Sequence, residues 1–248
     1  MRIAGQTVLI TGGTSGIGLA LAEAWSDRGG RIIVGGRDAG RLAAAARRVP
    51  GIMTVQADVA TPAGRDQLCR EIGRLAPGLS VLVNNAAVQH PADWLGRHTP
   101  GQAVLAEEEI TLNIGALVAL THALLPRLRA APEAAVVNLS SGLALAPKKS
   151  SPVYCASKAF VTSFTRALRY QCEDAAPHLR VVEVLPPVVD TPMTAGRGRA
   201  KLAPATVAAA ILHGLARDRP IIDVGAVGLL RAVQRLSPAL AFRLTRNW

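Results

Sequence analysis

The sequence predicts an α/β fold: a doubly wound, seven-stranded parallel sheet with helices on both faces. Three observations predict it. Short β-branched runs alternate with longer stretches rich in alanine and leucine, the pattern of βαβ units. Runs such as Val8-Leu9-Ile10 and Val81-Leu82-Val83 are continuously apolar, as in strands buried on both sides. A glycine-rich loop follows the first of these runs and opens a helical stretch.

Taken in order, strands are expected at residues 7–10, 31–35, 53–57, 81–83, 135–139, 180–185 and 221–224. Helices are expected between them, near 17–28, 38–48, 62–75, 101–130, 152–175 and 204–217. Asp38 reads as the N-cap of the second helix. Half of the 248 residues are hydrophobic and only 3% are aromatic, so the core is built from Ala, Val, Leu and Ile. No Ser/Pro/Gly-rich linker, composition break or internal repeat divides the chain.

Composition excludes several function classes. The net charge of +11 is carried by scattered basic residues, mostly arginine, with no run of five and no interleaved aromatics. That argues against a nucleic-acid partner. Cys69, Cys155 and Cys172 are odd in number and form no CxxC, which argues against disulfides and a metal site. Cys155 is expected to be a buried, inert thiol. The N-terminal MRIAGQTVLITGG leads into the glycine loop, not into a small-residue cleavage site. The longest uncharged stretch, residues 110–126, carries Asn113, His122 and two threonines, too polar for a membrane span. The expected compartment is the cytoplasm.

The loop itself reads Thr11-Gly12-Gly13-Thr14-Ser15-Gly16-Ile17-Gly18. Glycines at 12, 16 and 18 allow a tight turn, close approach of backbone to a pyrophosphate, and close packing of helix on strand. The helix N-terminus offers N–H groups and positive dipole to the phosphates. A dinucleotide site is therefore expected at Gly12, Thr14, Ser15, Gly16, Ile17 and Gly18. The second strand ends at Gly36 and then Arg37, where NAD sites usually carry an acid. A guanidinium there suits a 2′-phosphate, so NADP(H) is expected in preference to NAD(H), which stays possible. After the third strand, Asp58 and Val59 are placed to meet the adenine. Capping the helix that begins near Pro62 is the other reading of Asp58.

Tyr154 and Lys158 stand four apart in a helical stretch, hence on one face. A cation held permanently beside the phenol favours the phenolate. Moving a tyrosine from ~10 to ~7 takes about 3 units, or roughly 4 kcal/mol. A tyrosine so tuned is a general acid/base at neutral pH. The spacing alone is common, and the usual reading is a half-buried tyrosine with a solvated lysine.

With these residues together, the chain resembles the short-chain dehydrogenase/reductase family over about residues 5–225. TGGTSGIG is similar to its TGxxxGxG, and Asn84-Asn85-Ala86-Ala87 to its NNAG. Asn113 stands where the family has the asparagine of its long helix. Val137-Asn138-Leu139-Ser140-Ser141 resembles the serine segment, YCASK the YxxxK, and Leu185-Pro186-Pro187-Val188-Val189-Asp190-Thr191 the PGxVxT. The resemblance implies a Rossmann sheet and a tetrad of Asn113, Ser141, Tyr154 and Lys158. Ser141 is preferred to Ser140 because it stands 13 residues before the tyrosine, leaving Ser140 as a hydrogen-bonder at the strand end. Asn113 would hold a kinked backbone and a relay water. Further cofactor contacts are implied at Asn85, Ala86, Ala87, Pro186, Val189 and Thr191, beside Tyr154 and Lys158. Two residues depart from the pattern. Ala87 replaces a glycine, and Pro187 replaces another, removing an N–H and fixing φ near −65°. SSGLALAP…PVYCASK…LPPVVDT also resembles a subgroup of bacterial oxidoreductases associated with lipoteichoic-acid D-alanylation operons.

The implied activity is hydride transfer between a nicotinamide and a small carbonyl or secondary-alcohol substrate. The alternatives are an NAD-linked alcohol dehydrogenase working oxidatively, and a non-catalytic NADP(H)-binding sensor. The complete tetrad argues against the sensor. Residues 1–225 are expected to form the dinucleotide-binding catalytic domain, with a substrate lid near 190–204. Arg197, Arg199 and Lys201 in that lid, with Lys148 and Lys149, read as solvated loop charges before they read as an anion site. Residues 226–248 are a basic amphipathic extension with Arg231, Arg235, Arg243 and Arg246 and no acid. It is expected to fold as two short helices broken at Pro238. Packing against the partner in a homodimer or homotetramer is preferred to contact with an anionic membrane surface.

Overall fold

The computed structural model describes residues 1–96, 101–196 and 200–248. Its strands are β1 (Thr7–Thr11), β2 (Arg31–Gly36), β3 (Met53–Gln56), β4 (Val81–Asn84), β5 (Ala134–Leu139), β6 (Leu179–Leu185) and β7 (Ile221–Asp223). They form one sheet in the order β3-β2-β1-β4-β5-β6-β7, with every neighbouring pair parallel. The order reverses direction between β1 and β4. Open sheets of this kind leave a crevice there, beyond the carboxyl ends of the strands.

Helices cover both faces because successive strand side chains point to opposite sides. Val8 and Ile10 face one way, onto α1 (Gly16–Ser26) and α7 (Pro204–Ala216), through Leu21, Trp25, Val207 and Ile211. The same layer takes in Leu42 of α2 (Ala39–Arg48). Leu9 and Ile33 face the other way, onto α3 (Pro62–Leu75), α5 (Leu117–Ala130) and α6 (Pro152–Ala175), through Leu68, Ile72, Leu120, Leu124 and Leu168. Continuous apolar strands are thus explained: both faces are dry.

The sequence predicts one long helix over 101–130. The structure divides it into α4 (Gln102–Ile110), a π-helical turn (Thr111–Ala116) and α5. Asn113 sits in that turn, where the kink was expected. Chain ends of helices follow their caps. Asp38 accepts the Arg41 N–H at 2.8 Å, as expected. At α3 the cap is Thr61, which accepts the Gly64 N–H at 3.0 Å. Asp58 therefore is not the cap of α3. Its carboxylate turns back onto the Ala60 N–H at 3.0 Å.

The tail forms α8 (Val227–Leu236) and α9 (Pro238–Thr245), broken at Pro238 as the sequence predicts. No helix among the described residues is long and apolar enough to cross a membrane. Arg197 and Arg199 lie outside the described residues.

Candidate active site

A cleft of about 400 Å³ follows the carboxyl edge of the sheet. Gly12, Thr14, Ser15, Gly16 and Ile17 form its floor, and Arg37, Asp58 and Val59 one end. Asn85, Ala86 and Ala87 line its middle. Ser141, Tyr154, Lys158, Pro186, Val189 and Thr191 line the other end. Two residues singled out from sequence, Gly18 and Asn113, do not line it.

The floor is shaped by close backbone approach. Gly12 has φ +63°, and a Cβ there would lie 2.9 Å from Ala86 Cα. Gly16 has φ +54°, and a Cβ there would lie 2.8 Å from Thr191 Cγ2. Only glycine accepts both conditions at low cost. Gly18 serves packing: its added Cβ would meet the Gly12 carbonyl oxygen and Asn85 Nδ2, each at 2.6 Å. The Asn85 amide donates to Thr11 O at 2.9 Å and Gly12 O at 3.0 Å, clamping the loop from the β4 side.

The N-terminus of α1 differs from those of α2 and α3. Ser15 stands at its N-cap position and makes no side-chain cap. The N–H groups of that first turn are left for an anion in the cleft. Space at two glycines, an uncapped helix N-terminus and a basic far end together fit a dinucleotide diphosphate.

At the other end, α6 and the strand ends bring three side chains together. Tyr154 and Lys158 are buried on one face of α6. Lys158 Nζ donates to Leu139 O at 2.7 Å and lies 5.6 Å from the Tyr154 ring centroid. Burial pushes Lys158 down to about 8. The cation expected to be permanent is therefore present at neutral pH but titrates just above it, because water no longer solvates the ammonium. Ser141 Oγ accepts the Leu143 N–H at 3.1 Å and faces the cleft. Ser140 is spent elsewhere: its hydroxyl donates to Lys158 O at 3.1 Å and contacts Thr162 Oγ1 at 3.2 Å. Thr162 in turn donates to the buried carboxylate of Glu183.

Asn113 lies behind this end. Its Oδ1 accepts the Val88 N–H at 2.9 Å, and its amide donates to Val88 O at 3.0 Å and Ser157 Oγ at 3.1 Å. Both amide protons are used in tying the loop after β4 to α6. Pro187 lines the cleft, and Gly142 N–H donates to the carbonyl of neighbouring Pro186 at 3.0 Å. Among the described residues the non-glycine positive-φ positions are Ala200 and Asp218, so the 186–191 segment requires no left-handed residue. Lys201 is turned inward, donating to Thr194 O at 2.7 Å. That bond ties Lys201 to the Pro192–Thr194 turn, so Lys201 is not a loose loop charge. Cys155 is buried, and burial pushes its thiol up, as for an inert cysteine.

The model of the short chain dehydrogenase family matches residues 6–202. The chain belongs to the short-chain dehydrogenase family. Its relatives include the uncharacterized oxidoreductase DltE of Bacillus subtilis, 42% identical over 191 residues, spanning 77% of this chain and 74% of that protein. Sulfoacetaldehyde reductase 2 of Chromohalobacter salexigens is 36% identical over 200 residues, 75% of this chain and 74% of that protein. Among solved structures, a short chain dehydrogenase from Burkholderia cenocepacia in complex with NADP superposes with a TM-score of 0.86 at 27% identity. That match covers 98% of this chain and 99% of the other.

This short-chain dehydrogenase also carries site residues that sequence reasoning missed. Arg41, in the first turn of α2, lines the cleft four residues beyond Arg37. Its spacing from Arg37 was the available signal. Arg37 lies 3.8 Å from Glu108 of α4. Buried Asn84 and Asn138 were read only as parts of motifs. In the structure Asn84 Nδ2 donates to Asn138 Oδ1 at 2.8 Å and Thr121 Oγ1 at 3.0 Å. Asn138 Nδ2 donates to Thr165 Oγ1 at 2.9 Å. This network joins β4 and β5 to α5 and α6 about three turns along α6 from Tyr154.

Proposed function

We propose that this chain is an NADP(H)-preferring oxidoreductase that reduces a carbonyl group to an alcohol, with Tyr154 as general acid. One observation carries the reading: Ser141, Tyr154 and the buried Lys158 converge at one end of a cleft whose floor is an uncapped helix N-terminus. The relative named as a sulfoacetaldehyde reductase supports carbonyl reduction. Arg37 and Arg41 at the far end, and the NADP held by the Burkholderia structure, support the phosphorylated cofactor.

Gly12, Thr14, Ser15, Gly16 and Ile17 would hold the diphosphate, and Arg37 and Arg41 the 2′-phosphate. Asp58 and Val59 would meet the adenine, while Ala86, Ala87, Pro186, Val189 and Thr191 would border the nicotinamide. The bound dinucleotide supplies the hydride. The substrate oxygen accepts hydrogen bonds from Ser141 Oγ and Tyr154 Oη. As negative charge develops on that oxygen, Tyr154 gives up its proton to it. The Lys158 ammonium stabilises the phenolate left behind, and does so strongly because its surroundings exclude water. Asn113 positions the loop of Val88 against α6 and so holds the shape of this end.

A panel of aldehydes and ketones, scored by loss of reduced-nicotinamide absorbance, tests the reading. NADPH consumption with at least one carbonyl, at kcat/KM about tenfold or more above that with NADH, is expected from one charge-assisted phosphate contact. Binding of NADPH without turnover across the panel would favour the sensor. Preference for NADH would remove the role given to Arg37 and Arg41.

A further inference from the structure

The two C-terminal helices turn one face inward and one outward. Inward, Leu230 and Ala241 pack on Ala146. Thr245 Oγ1 donates to Pro147 O at 3.2 Å, and the Lys149 N–H donates to Arg246 O at 3.0 Å. The inner face thus braces the loop that runs from Ser141 to Tyr154.

Outward, Leu229 and Leu236 are 69% and 88% exposed. They stand two turns apart on α8, with Ala232 between them on the same stripe. Leu240 and Leu244 of α9 form a second exposed pair at i, i+4 on one flank of its buried Ala241–Thr245 stripe, Phe242 is exposed on the other flank, and Trp248 is exposed beyond the helix. Single exposed apolar residues need no explanation, but a run of six on two adjoining helices does. The charges around this face have one sign, since residues 226–248 contain four arginines and no acid. Arg231 is neutralised by Asp223 at 2.6 Å. Arg235, Arg243 and Arg246 are exposed and have no ion-pair partner among the described residues.

We propose that this face seats the protein on an anionic lipid surface. Leu236, Phe242 and Trp248 lie at the boundary of headgroups and acyl chains, and Arg235 and Arg243 meet the headgroup phosphates. Charge selects lipid over a second copy. Two copies joined through this face would set the same arginines against each other, with no acid in either tail to answer them. The chain's net charge of +11 adds a general attraction to a negative surface.

Co-sedimentation of the full chain with phosphatidylcholine vesicles, with and without phosphatidylglycerol, tests this. Binding is expected only to the vesicles containing phosphatidylglycerol, and is expected to fall as salt rises. The pairs Leu236→Glu with Phe242→Glu, and Arg235→Gln with Arg243→Gln, should each weaken it by about tenfold or more. Circular dichroism of each pair checks that the chain still folds. No binding to the anionic vesicles would overturn the proposal. So would vesicle binding that neither pair changes. Conversion of an oligomer to monomer by Leu236→Glu with Phe242→Glu, at unchanged vesicle binding, would give the face to a second copy instead.

Discussion

At the β1–β3 end of the cleft the backbone does the shaping; at the β6 end buried side chains and short turns do it. The first end is a helix N-terminus and two glycines whose missing Cβ atoms leave room. The second depends on a desolvated lysine, a serine held by a single N–H, and a turn at Pro192–Thr194 tied by Lys201. Backbone sites tolerate no added atom. Side-chain sites tolerate changes of size but not of charge or of hydrogen bonding.

The contrast is sharpened first at Gly16. Gly16→Val puts a β-branched residue at φ +54° and its Cβ 2.8 Å from Thr191. The left-handed backbone alone costs roughly 1–2 kcal/mol. Dinucleotide affinity, measured by fluorescence titration, should fall by at least about tenfold. Gly196, just after the turn at Pro192–Thr194, shares a positive φ of +70° but has nothing within 4 Å of an added Cβ. Gly196→Ala should leave that affinity within about threefold, about 0.7 kcal/mol. Equal losses at the two glycines would remove the distinction.

The second prediction concerns Lys158. Its ammonium titrates near 8 when folded and near 10.5 when unfolded. The folded state therefore binds fewer protons between those values, and this group's contribution to stability rises with pH there. Below about 8 the buried charge costs about 3 kcal/mol, order of magnitude. Lys158→Met removes that cost. The stability advantage of the variant without cofactor, from urea unfolding, should shrink as pH rises from about 8 toward 10.5. A difference that stays flat with pH would show that Lys158 is not desolvated.

Next is the amide network that ties β4 and β5 to α6. Asn138→Ala leaves one of the two buried Asn84 amide protons without its acceptor and removes the N–H that Thr165 Oγ1 accepts. A loss of roughly 1–3 kcal/mol in unfolding free energy is expected. Activity should fall with it, because the network joins α6 to the sheet. A last effect is expected at Arg37, which is two-thirds exposed. Arg37→Ser should lower the ratio of NADPH to NADH kcat/KM by about tenfold, less if Arg41 compensates.

The sheet was legible because dry strands leave a plain trace in sequence. Val8-Leu9-Ile10 has no polar face, and the strand spans expected from such runs match the observed ones to within a residue or so. The glycine loop was legible because its requirements are local. The Arg41 position was not read, although it lies four residues from Arg37. The Asn84–Asn138–Thr165 chain had no local signal, since its members lie 54 and 27 residues apart and meet only through the fold. The depressed Lys158 was also hidden: spacing put a cation beside Tyr154, but only packing showed how little water reaches it. The cap of α3 was not read either: it is Thr61, three residues beyond the Asp58 that the sequence offered.

The central claim is that Tyr154 moves the proton at the side-chain end of the cleft. Tyr154→Phe removes one oxygen and leaves the ring over which Lys158 lies. Steady-state turnover of the best carbonyl substrate, measured beside NADPH affinity for the same variant, tests that claim most directly. The account predicts a fall in kcat of at least about 100-fold, the usual worth of a positioned acid, with NADPH affinity nearly unchanged. Turnover at the wild-type rate in Tyr154→Phe would contradict it.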